Sequence, residues 1–297
     1  MNRPLHTRFR PLATAAASLA AIALIATGCA GTPAAEESAP DAKDSSYTVE
    51  HAMGETEFET VPERIVVLDS PQMDALVALG ITPVGAPEIG AGRGFPAYLA
   101  DDLDGTESIG FIAEPDVDAI ANLAPDLIIG SKVRHEALYE ELSAIAPTVF
   151  SEDTGTNWTE QAVLTAAAVN QSDAMDQLIK GVEDRAAEVG AAVEADGTTA
   201  SIVRFRADNF RLYGPGTFSG SLLTDMGFDL GADRDWNEYS MMELSPELYE
   251  QIDGDVVFYM SPGGDPTATT QAQITGLWGA QPGPAGDAAY EVEDDTW

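Results

Sequence analysis

Cysteine and basic residues are scarce in this chain of 297 residues, which contains one Cys and 14 Lys and Arg against 50 Asp and Glu. A single cysteine excludes an intrachain disulfide framework and a zinc site built from several cysteines. The formal net charge of -36 excludes the basic surface of a nucleic-acid-binding protein, so no nucleic-acid partner is expected. Beyond the N-terminal leader the histidines are His51 and His135, far apart in sequence, which disfavours a direct zinc or manganese carrier.

The first 28 residues have the order of a secretory signal peptide. Three arginines precede an uncharged apolar stretch at 12–26, which is short for a transmembrane span, and small residues then lead to Cys29. The segment resembles a bacterial lipoprotein signal, in which the cysteine becomes the first mature residue and carries the lipid. We therefore predict a signal peptide at 1–28, lipidation of Cys29, a flexible tether at 29–46 and an extracytoplasmic protein anchored to the cell membrane.

Short apolar strand patterns alternate with helical patterns through both halves of the remaining chain. Such alternation predicts an α/β fold with largely parallel sheets. The predicted strands are 64–69, 82–85, 126–130, 148–150, 201–205 and 255–260, and the predicted helices are 72–79, 116–123, 132–144, 219–226 and 245–251.

A long helical pattern separates the two halves. Apolar residues recur at helical spacing over 172–194 with no proline, and Ser172 is the predicted N-cap. A helix of this length would extend on the order of 35 Å, which is long for a connection within one lobe. We predict two Rossmann-like α/β lobes, 47–157 and 196–297, joined by linking helices at 158–195, with a ligand cleft between the lobes.

One local pattern occurs in both halves. A capped helix start, at Asp116 or Ser245, is followed ten residues later by the aspartate, Asp126 or Asp255, that opens a buried strand. Helix capping accounts for the local chemistry of this pattern. Its repetition indicates that the two lobes are similar.

Taken together, these patterns resemble the siderophore-binding members of the periplasmic substrate-binding proteins, whose lobes are joined by a single long helix. The stretches that carry the resemblance are PERIVVLDS, ALVALGITPVGA, PDVDAIANLAPDLIIGS, YEELSAIAPTVF, SIVRFRADNFRLYG and SPELYEQIDGDVVFY. The resemblance implies a monomeric binding protein rather than an enzyme, without a resident cofactor, that binds a ferric siderophore in the cleft and delivers it to the permease subunits of an ABC transporter. It also implies that an acid at the tip of each lobe, Asp118 and Glu247, docks onto permease arginines. Relatives usually continue past the final strand with another helix, whereas this chain stops at Trp297, so we expect either a truncated sequence or an incomplete second lobe.

Basic residues concentrate in two short windows. Lys132 and Arg134 follow a strand of the first lobe, whereas Arg204, Arg206 and Arg211 lie along the first strand of the second lobe and the turn after it. Ligands of open α/β sheets bind outside the carboxyl ends of strands, so both windows are predicted to face the cleft. Guanidinium groups suit the oxygen array of a ferric catecholate or citrate-type complex. The resemblance supports Arg204 and Arg134, and strand alternation predicts that Arg204 and Arg206 share one face.

Further candidates for the pocket are Tyr213 and Trp236, although aromatic residues of α/β proteins are more often core. Arg93, in the glycine-rich loop at 90–94, is a candidate for the mouth of the cleft. That loop lacks the Lys-Ser/Thr of a phosphate loop, which excludes nucleotide binding of that type.

The alternative functions differ either in the ligand that is carried or in the class of protein. A heme carrier of the same fold would use Met241, Met242, Tyr239 or His135 as axial ligands, and cobalamin is a third cargo. A secreted hydrolase is disfavoured because Ser219 is not in a G-x-S-x-G motif. A structural or adhesive lipoprotein would leave the duplicated lobes and clustered arginines without use. We expect no catalytic residues and no protein-bound metal.

Overall fold

The computed structural model of the protein describes residues 46–90, 92–262, 266–278 and 288–297. The predicted signal peptide, Cys29 and the tether up to residue 45 lie outside these residues. Within them, no helix is both long and apolar enough to cross a membrane.

The described chain contains strands and helices in alternation, as predicted for an α/β fold. The strands are β1 (Tyr47–His51), β2 (Gly54–Phe58), β3 (Ile65–Val67), β4 (Gly85–Glu88), β5 (Glu107–Phe111), β6 (Glu114–Pro115), β7 (Leu127–Ser131), β8 (Thr148–Ser151), β9 (Ala200–Phe205), β10 (Phe210–Tyr213), β11 (Met241–Leu244), β12 (Val256–Met260) and β13 (Ala289–Glu291). The α-helices are α1 (Ser70–Ala78), α2 (Val117–Asn122), α3 (Lys132–His135), α4 (Tyr139–Ser143), α5 (Trp158–Ala168), α6 (Ser172–Val193), α7 (Phe218–Met226) and α8 (Gln271–Trp278).

The first lobe is built on a six-stranded sheet in the order β6-β5-β4-β3-β7-β8, in which only β6 is antiparallel to its neighbour. Both faces are buried, because alternate residues of β3 join different core clusters. Val67 packs in one cluster with Met73 of α1, and Val66 packs in another with Ile120 of α2 and Leu142 of α4. Helices on both faces explain why the strands read as continuous apolar runs. The β1–β2 hairpin forms a separate two-stranded sheet.

The second lobe is built on a five-stranded sheet in the order β11-β10-β9-β12-β13. The strands β9, β12 and β13 are parallel, and β10 is antiparallel to both of its neighbours. Val203 packs with Ile274 of α8 on one face, and Ile202 packs with Leu223 of α7 on the other. The second lobe is therefore a second three-layer unit, as the repeated sequence pattern indicated.

The repeated pattern has a shared structural role at the strand-opening aspartates. The Asp126 carboxylate accepts hydrogen bonds from the backbone N–H groups of Glu63 and Arg64, at 2.9 and 2.7 Å. The Asp255 carboxylate accepts one from the Thr199 N–H at 3.0 Å. In each lobe the aspartate ties the start of one parallel strand to the start of its neighbour, β7 to β3 and β12 to β9.

The long helix α6 joins the two lobes. Its 22 residues correspond to about 33 Å. Near its start, Met175 packs with Ala75 of α1 and Ala166 of α5, and near its end Gly190 lies against the backbone of Met226 in α7. The predicted N-cap is wrong by one residue: Ser172 is the first helical residue, and Gln171 occupies the cap position without a side-chain cap.

Three other sequence expectations differ from the structure. The helix expected at 245–251 is a 3₁₀ helix, Pro246–Gln251, with a non-helical residue inside it, and such geometry is confined to short pieces. The strand expected at 82–85 begins only at Gly85. The helix expected at 132–144 is divided into α3, a 3₁₀ turn and α4.

Candidate functional site

The carboxyl ends of the parallel strands carry the predicted cationic residues in both lobes. In the first lobe, Arg93 follows β4, and Lys132 and Arg134 begin directly after β7. In the second lobe, Arg204 is the penultimate residue of β9, beside Met260 at the end of β12. This is the sheet edge at which open α/β folds bind their ligands.

The cations of the first lobe that follow β7 are held by acids. The Arg134 Nε lies 2.8 Å from Oδ2 of Asp69, a carboxylate that is 3% exposed at the end of β3. Thr154 donates its hydroxyl to the same oxygen at 2.8 Å, and the Ser70 N–H donates to Oδ1. Lys132 instead pairs with the exposed Glu152 at 2.9 Å. Arg134 is therefore fixed by a buried counterion, whereas Lys132 makes a surface ion pair.

Arg204 is anchored on one side by Asp294. Its Nε and Nη2 donate to the two carboxylate oxygens at 2.5 and 2.8 Å, and the Asp294 side chain is 4% exposed. Burial lowers the pKa of the Arg204 guanidinium, but hydrogen bonds and charge interactions with Asp294 and Tyr213 outweigh this, and its pKa lies above the usual value. Because Arg204 keeps 31% exposure, part of its donor array still reaches solvent.

An ion pair between the lobes involves the residue next to the partner of Arg204. Nη2 of Arg93, in the first lobe, donates to both carboxylate oxygens of Asp295 at 2.6 and 2.8 Å. Asp295 is the neighbour of Asp294, so its Cα lies only about 3.8 Å from that of the residue that holds Arg204. Arg93 and Arg204, one from each lobe, are therefore bonded to consecutive residues of the segment that follows β13.

The remaining predicted cations lie on the β9–β10 hairpin, where Arg211 is the direct register partner of Arg204. Arg211 of β10 pairs with Glu243 of β11 at 2.9 Å. Arg206 is not part of β9, which ends at Phe205, so strand alternation gives no support for placing it with Arg204. It is the first residue of the hairpin turn, and its N–H donates to the Asn209 carbonyl at 3.0 Å.

The two predicted aromatic residues have different surroundings. Tyr213 lies beside Arg204 and forms a hydrogen bond with it. Trp236 donates its indole N–H to the Gly231 carbonyl at 3.0 Å and covers Gly214 so closely that a Cβ there would lie 2.6 Å from the ring. Tyr213 is thus placed beside the cleft cation, whereas Trp236 packs on the framework of the second lobe.

The lobes also meet at the base of the linking helices. The Trp158 indole N–H donates to the Ser221 hydroxyl of α7 at 3.0 Å, and the Trp158 ring meets Phe218 edge to face at 5.5 Å. A bridge between Thr156 and Thr217 lies next to this contact. This aromatic contact joins the first helix after β8 to the second lobe.

One of the four axial ligands considered for heme, His135, is already engaged in hydrogen bonds. His135 is 1% exposed, its Nδ1 accepts from the Ser131 N–H at 3.3 Å, and its Nε2 lies 3.0 Å from the Ile112 carbonyl. Burial lowers the pKa of His135, so the ring is neutral and carries its proton on Nε2. Neither nitrogen is available to a heme iron. Among the described residues there is also no cluster of three or more His, Cys, Asp and Glu side chains that could hold a metal ion.

The two acids expected to meet the permease lie near the same edges of the sheets. Asp118 is exposed in the first turn of α2, which begins beside the carboxyl end of β5. Glu247 is exposed in the first turn of the 3₁₀ helix that follows β11, a strand that runs in the direction of β9. Hydrogen bonds from the Ser245 hydroxyl and from its own N–H lower the pKa of Glu247.

Two surface grooves lie away from the strand edges. One of about 440 Å³ lies between β1 and α5, and another of about 530 Å³ lies where α1 meets the start of α6. Neither groove is lined by a lysine or an arginine, so neither offers the cationic donors that an anionic ligand needs.

Sequence reasoning found the cations of this site but missed their acidic partners. Asp69 had a usable signal, since it directly follows the buried run of β3 at a ligand-binding edge. No sequence signal marked Asp294 or Asp295, because nothing distinguishes these two residues from the other acids of an acid-rich chain. The role of both aspartates depends on where β13 places the last residues of the chain.

Comparison with known proteins agrees with this geometry. Residues 65–278 match the family model described as periplasmic binding protein. The chain is 36% identical over 263 residues to the probable siderophore-binding lipoprotein YfiY of Bacillus subtilis (strain 168), covering 84% of this chain and 81% of YfiY. It is 28% identical over 281 residues to the Fe(3+)-citrate-binding protein YfmC of the same organism, covering 92% and 87%.

A solved structure extends the likeness to three dimensions. Staphylococcus aureus SirA complexed with staphyloferrin B matches with a TM-score of 0.71 and 30% sequence identity, over 84% of this chain and 89% of the SirA chain. The chain therefore belongs to the periplasmic binding protein family.

Proposed function

We propose that this protein captures a ferric siderophore in the gap between its two lobes and delivers it to an ABC permease for iron import. The observation that carries the proposal is that Arg204 and Arg93, one from each lobe, are bonded to two adjacent aspartates. The names of YfiY and YfmC, and the staphyloferrin B complex of SirA, support an iron-chelate cargo.

The chemistry of the edge suits an anionic chelate. Asp294 occupies Nε and Nη2 of Arg204, and the other N–H groups of a guanidinium remain able to donate to carboxylate or catecholate oxygens. Tyr213 adds a phenolic group beside Arg204, and Arg134 and Lys132 add positive charge on the opposite lobe. The iron is cargo, enclosed by its chelator, so no resident cofactor or metal ligand is required.

Delivery needs an extracytoplasmic position and a docking surface. We assign the anchor to a lipid on Cys29, with the tether at 29–46 leaving the monomer free to meet its permease. We assign the docking contacts to Asp118 and Glu247, since both carboxylates are exposed near the cleft-side edges of the two lobes. Exposed acids at two separate tips would fix the orientation of docking on a basic partner surface.

A fluorescence titration tests the proposal. Tryptophan emission of the wild type should change on addition of ferric staphyloferrin B, ferric citrate or a ferric catecholate. Loss of Arg204 should weaken binding by about tenfold to 150-fold, since a hydrogen bond to a charged group contributes about 1.5–3 kcal/mol.

The variant is Arg204→Ala combined with Asp294→Asn, because removal of the arginine alone would strand a buried carboxylate. The matched control is Arg185→Ala, which removes an arginine from an exposed ion pair on α6. If no ferric probe binds the wild type, the proposed function is refuted. If the control and the Arg204 variant weaken binding equally, Arg204 is not a ligand contact.

A further inference from the structure

Two consecutive aspartates near the end of the chain hold one arginine from each lobe. Asp294 binds Arg204 of β9, and Asp295 binds Arg93 in the loop after β4. The segment is held by its surroundings, since Val292 donates its N–H to the Tyr259 carbonyl at 2.9 Å and Trp297 stacks on Phe258 at 5.0 Å. Two arginines that the proposed function assigns to the ligand are therefore bonded to carboxylates of this chain.

The two ion pairs differ in burial. Asp294 is 4% exposed and uses both oxygens on Arg204, so its departure would leave a buried charge without a partner. Asp295 is 27% exposed and Arg93 is 37% exposed, so both groups can be hydrated when they separate. An exposed pair of this kind contributes little to stability and is easily exchanged. Asp294 is consequently a fixed partner, and Asp295 is a replaceable one.

We propose that Asp295 is a specificity-determining residue that competes with the anionic groups of the cargo for Arg93. The inference rests on the proposed function of the cleft. A ligand can bond to Arg93 only by displacing Asp295. A weakly anionic ligand therefore gains little binding free energy from Arg93. A multidentate anion replaces the Asp295 carboxylate and bridges the two lobes in its place. Asp294 meanwhile stays bonded to Arg204.

The loop that carries Arg93 is suited to this exchange. The Ile89 N–H donates to the Gly94 carbonyl and the Arg93 N–H donates to the Gly90 carbonyl, both at 3.0 Å, so a tight turn presents Arg93. Gly92 and Gly94 have positive φ, at 74° and 69°, which other residues rarely adopt. The arginine can therefore change partners by side-chain rotation while its backbone stays in place.

A double-mutant cycle with ferric citrate as probe tests the proposal. Asp295→Asn should tighten binding by about 1.4-fold to fivefold, the range that corresponds to an exposed ion pair. Glu293→Gln is the matched control, because Glu293 is exposed on the same turn and its carboxylate is bonded to neither Arg93 nor Arg204 among the described contacts. It should produce only the smaller gain expected from removing one distant negative charge.

The second arm removes the arginine for which the two anions compete. In the Arg93→Ala background, Asp295→Asn should have no more effect than Glu293→Gln, since no competition remains. The proposal is overturned if Asp295→Asn and Glu293→Gln tighten binding equally, or if the Asp295→Asn gain persists without Arg93. Wild-type protein that fails to bind any ferric probe would instead refute the proposed function. Circular dichroism of each variant identifies loss of fold.

Discussion

Glycine-to-alanine changes at two positions of α6 test whether close packing of this helix on α7 holds the second lobe in place. A Cβ at Gly190 would lie 1.8 Å from the Met226 carbonyl oxygen and 2.7 Å from the Met226 Cα. A Cβ at Gly181, nine residues earlier in the same helix, would have no neighbour within 4 Å. The two substitutions are chemically identical and differ only in what the new methyl group meets.

The expected changes in the free energy of unfolding follow from two opposing effects. Alanine is favoured over glycine in a helix interior by about 0.8–1.0 kcal/mol, and this gain applies at both positions. Overpacking costs about 1–3 kcal/mol, and Gly190 belongs at the upper end because the clashing atoms are backbone and have no alternative rotamer. We expect Gly181→Ala to stabilise the protein by about 1 kcal/mol and Gly190→Ala to destabilise it by about 2 kcal/mol.

Thermal melting followed by circular dichroism measures both changes. For a chain of this size about 1 kcal/mol corresponds to roughly 2–4 °C, so the Tm should rise by about 2–4 °C for Gly181→Ala and fall by about 4–8 °C for Gly190→Ala. Urea unfolding provides an independent free energy. A Gly190→Ala protein as stable as Gly181→Ala would refute the argument that α6 and α7 are in backbone contact.

Two further predictions concern docking and pH. The double variant Asp118→Ala with Glu247→Ala should reduce cellular iron uptake and leave siderophore affinity unchanged. The control double variant, Asp176→Ala with Glu183→Ala, removes two exposed acids of α6 and should change neither quantity. Normal uptake in the first double variant would contradict the docking assignment. Burial raises the pKa of Asp74 to about 6, above its value in the unfolded chain, so its ionisation destabilises the fold as the pH rises from about 4 to about 6. Asp74→Asn should therefore stabilise the protein by up to about 3 kcal/mol near pH 7 and have little effect below about pH 4, and urea unfolding at both pH values checks this. Equal effects at the two pH values would contradict the burial argument.

The secondary structure of the core was largely predictable because the spacing of apolar residues along the chain indicates each helix and strand. The apolar run at β7 and the helical pattern of α6 each predicted an element that the structure contains. The errors occurred where local patterns are ambiguous. Proline at position 246 starts either an α-helix or a 3₁₀ helix, and the side chain of Ser172 could cap a helix or belong to it.

The candidate site was predictable only in part. The concentration of Lys132, Arg134 and Arg204 in an acidic chain pointed to strand ends, and the structure places all three there. Their counterions could not be predicted, because any of many acids could pair with each cation. The partner of Arg204 lies 90 residues away in sequence, at Asp294.

The sequence by itself determined the strands, the long helix α6 and the segments rich in positive charge, since each depends on residues close together in the chain. Only the tertiary structure decided which acids meet which cations. That choice depends on parallel strand pairing, which brings β13 beside β12 and places Asp295 within bonding distance of Arg93 in the other lobe. Long-range pairing of this kind is set by the packing of whole sheets and leaves no local pattern in the residues involved.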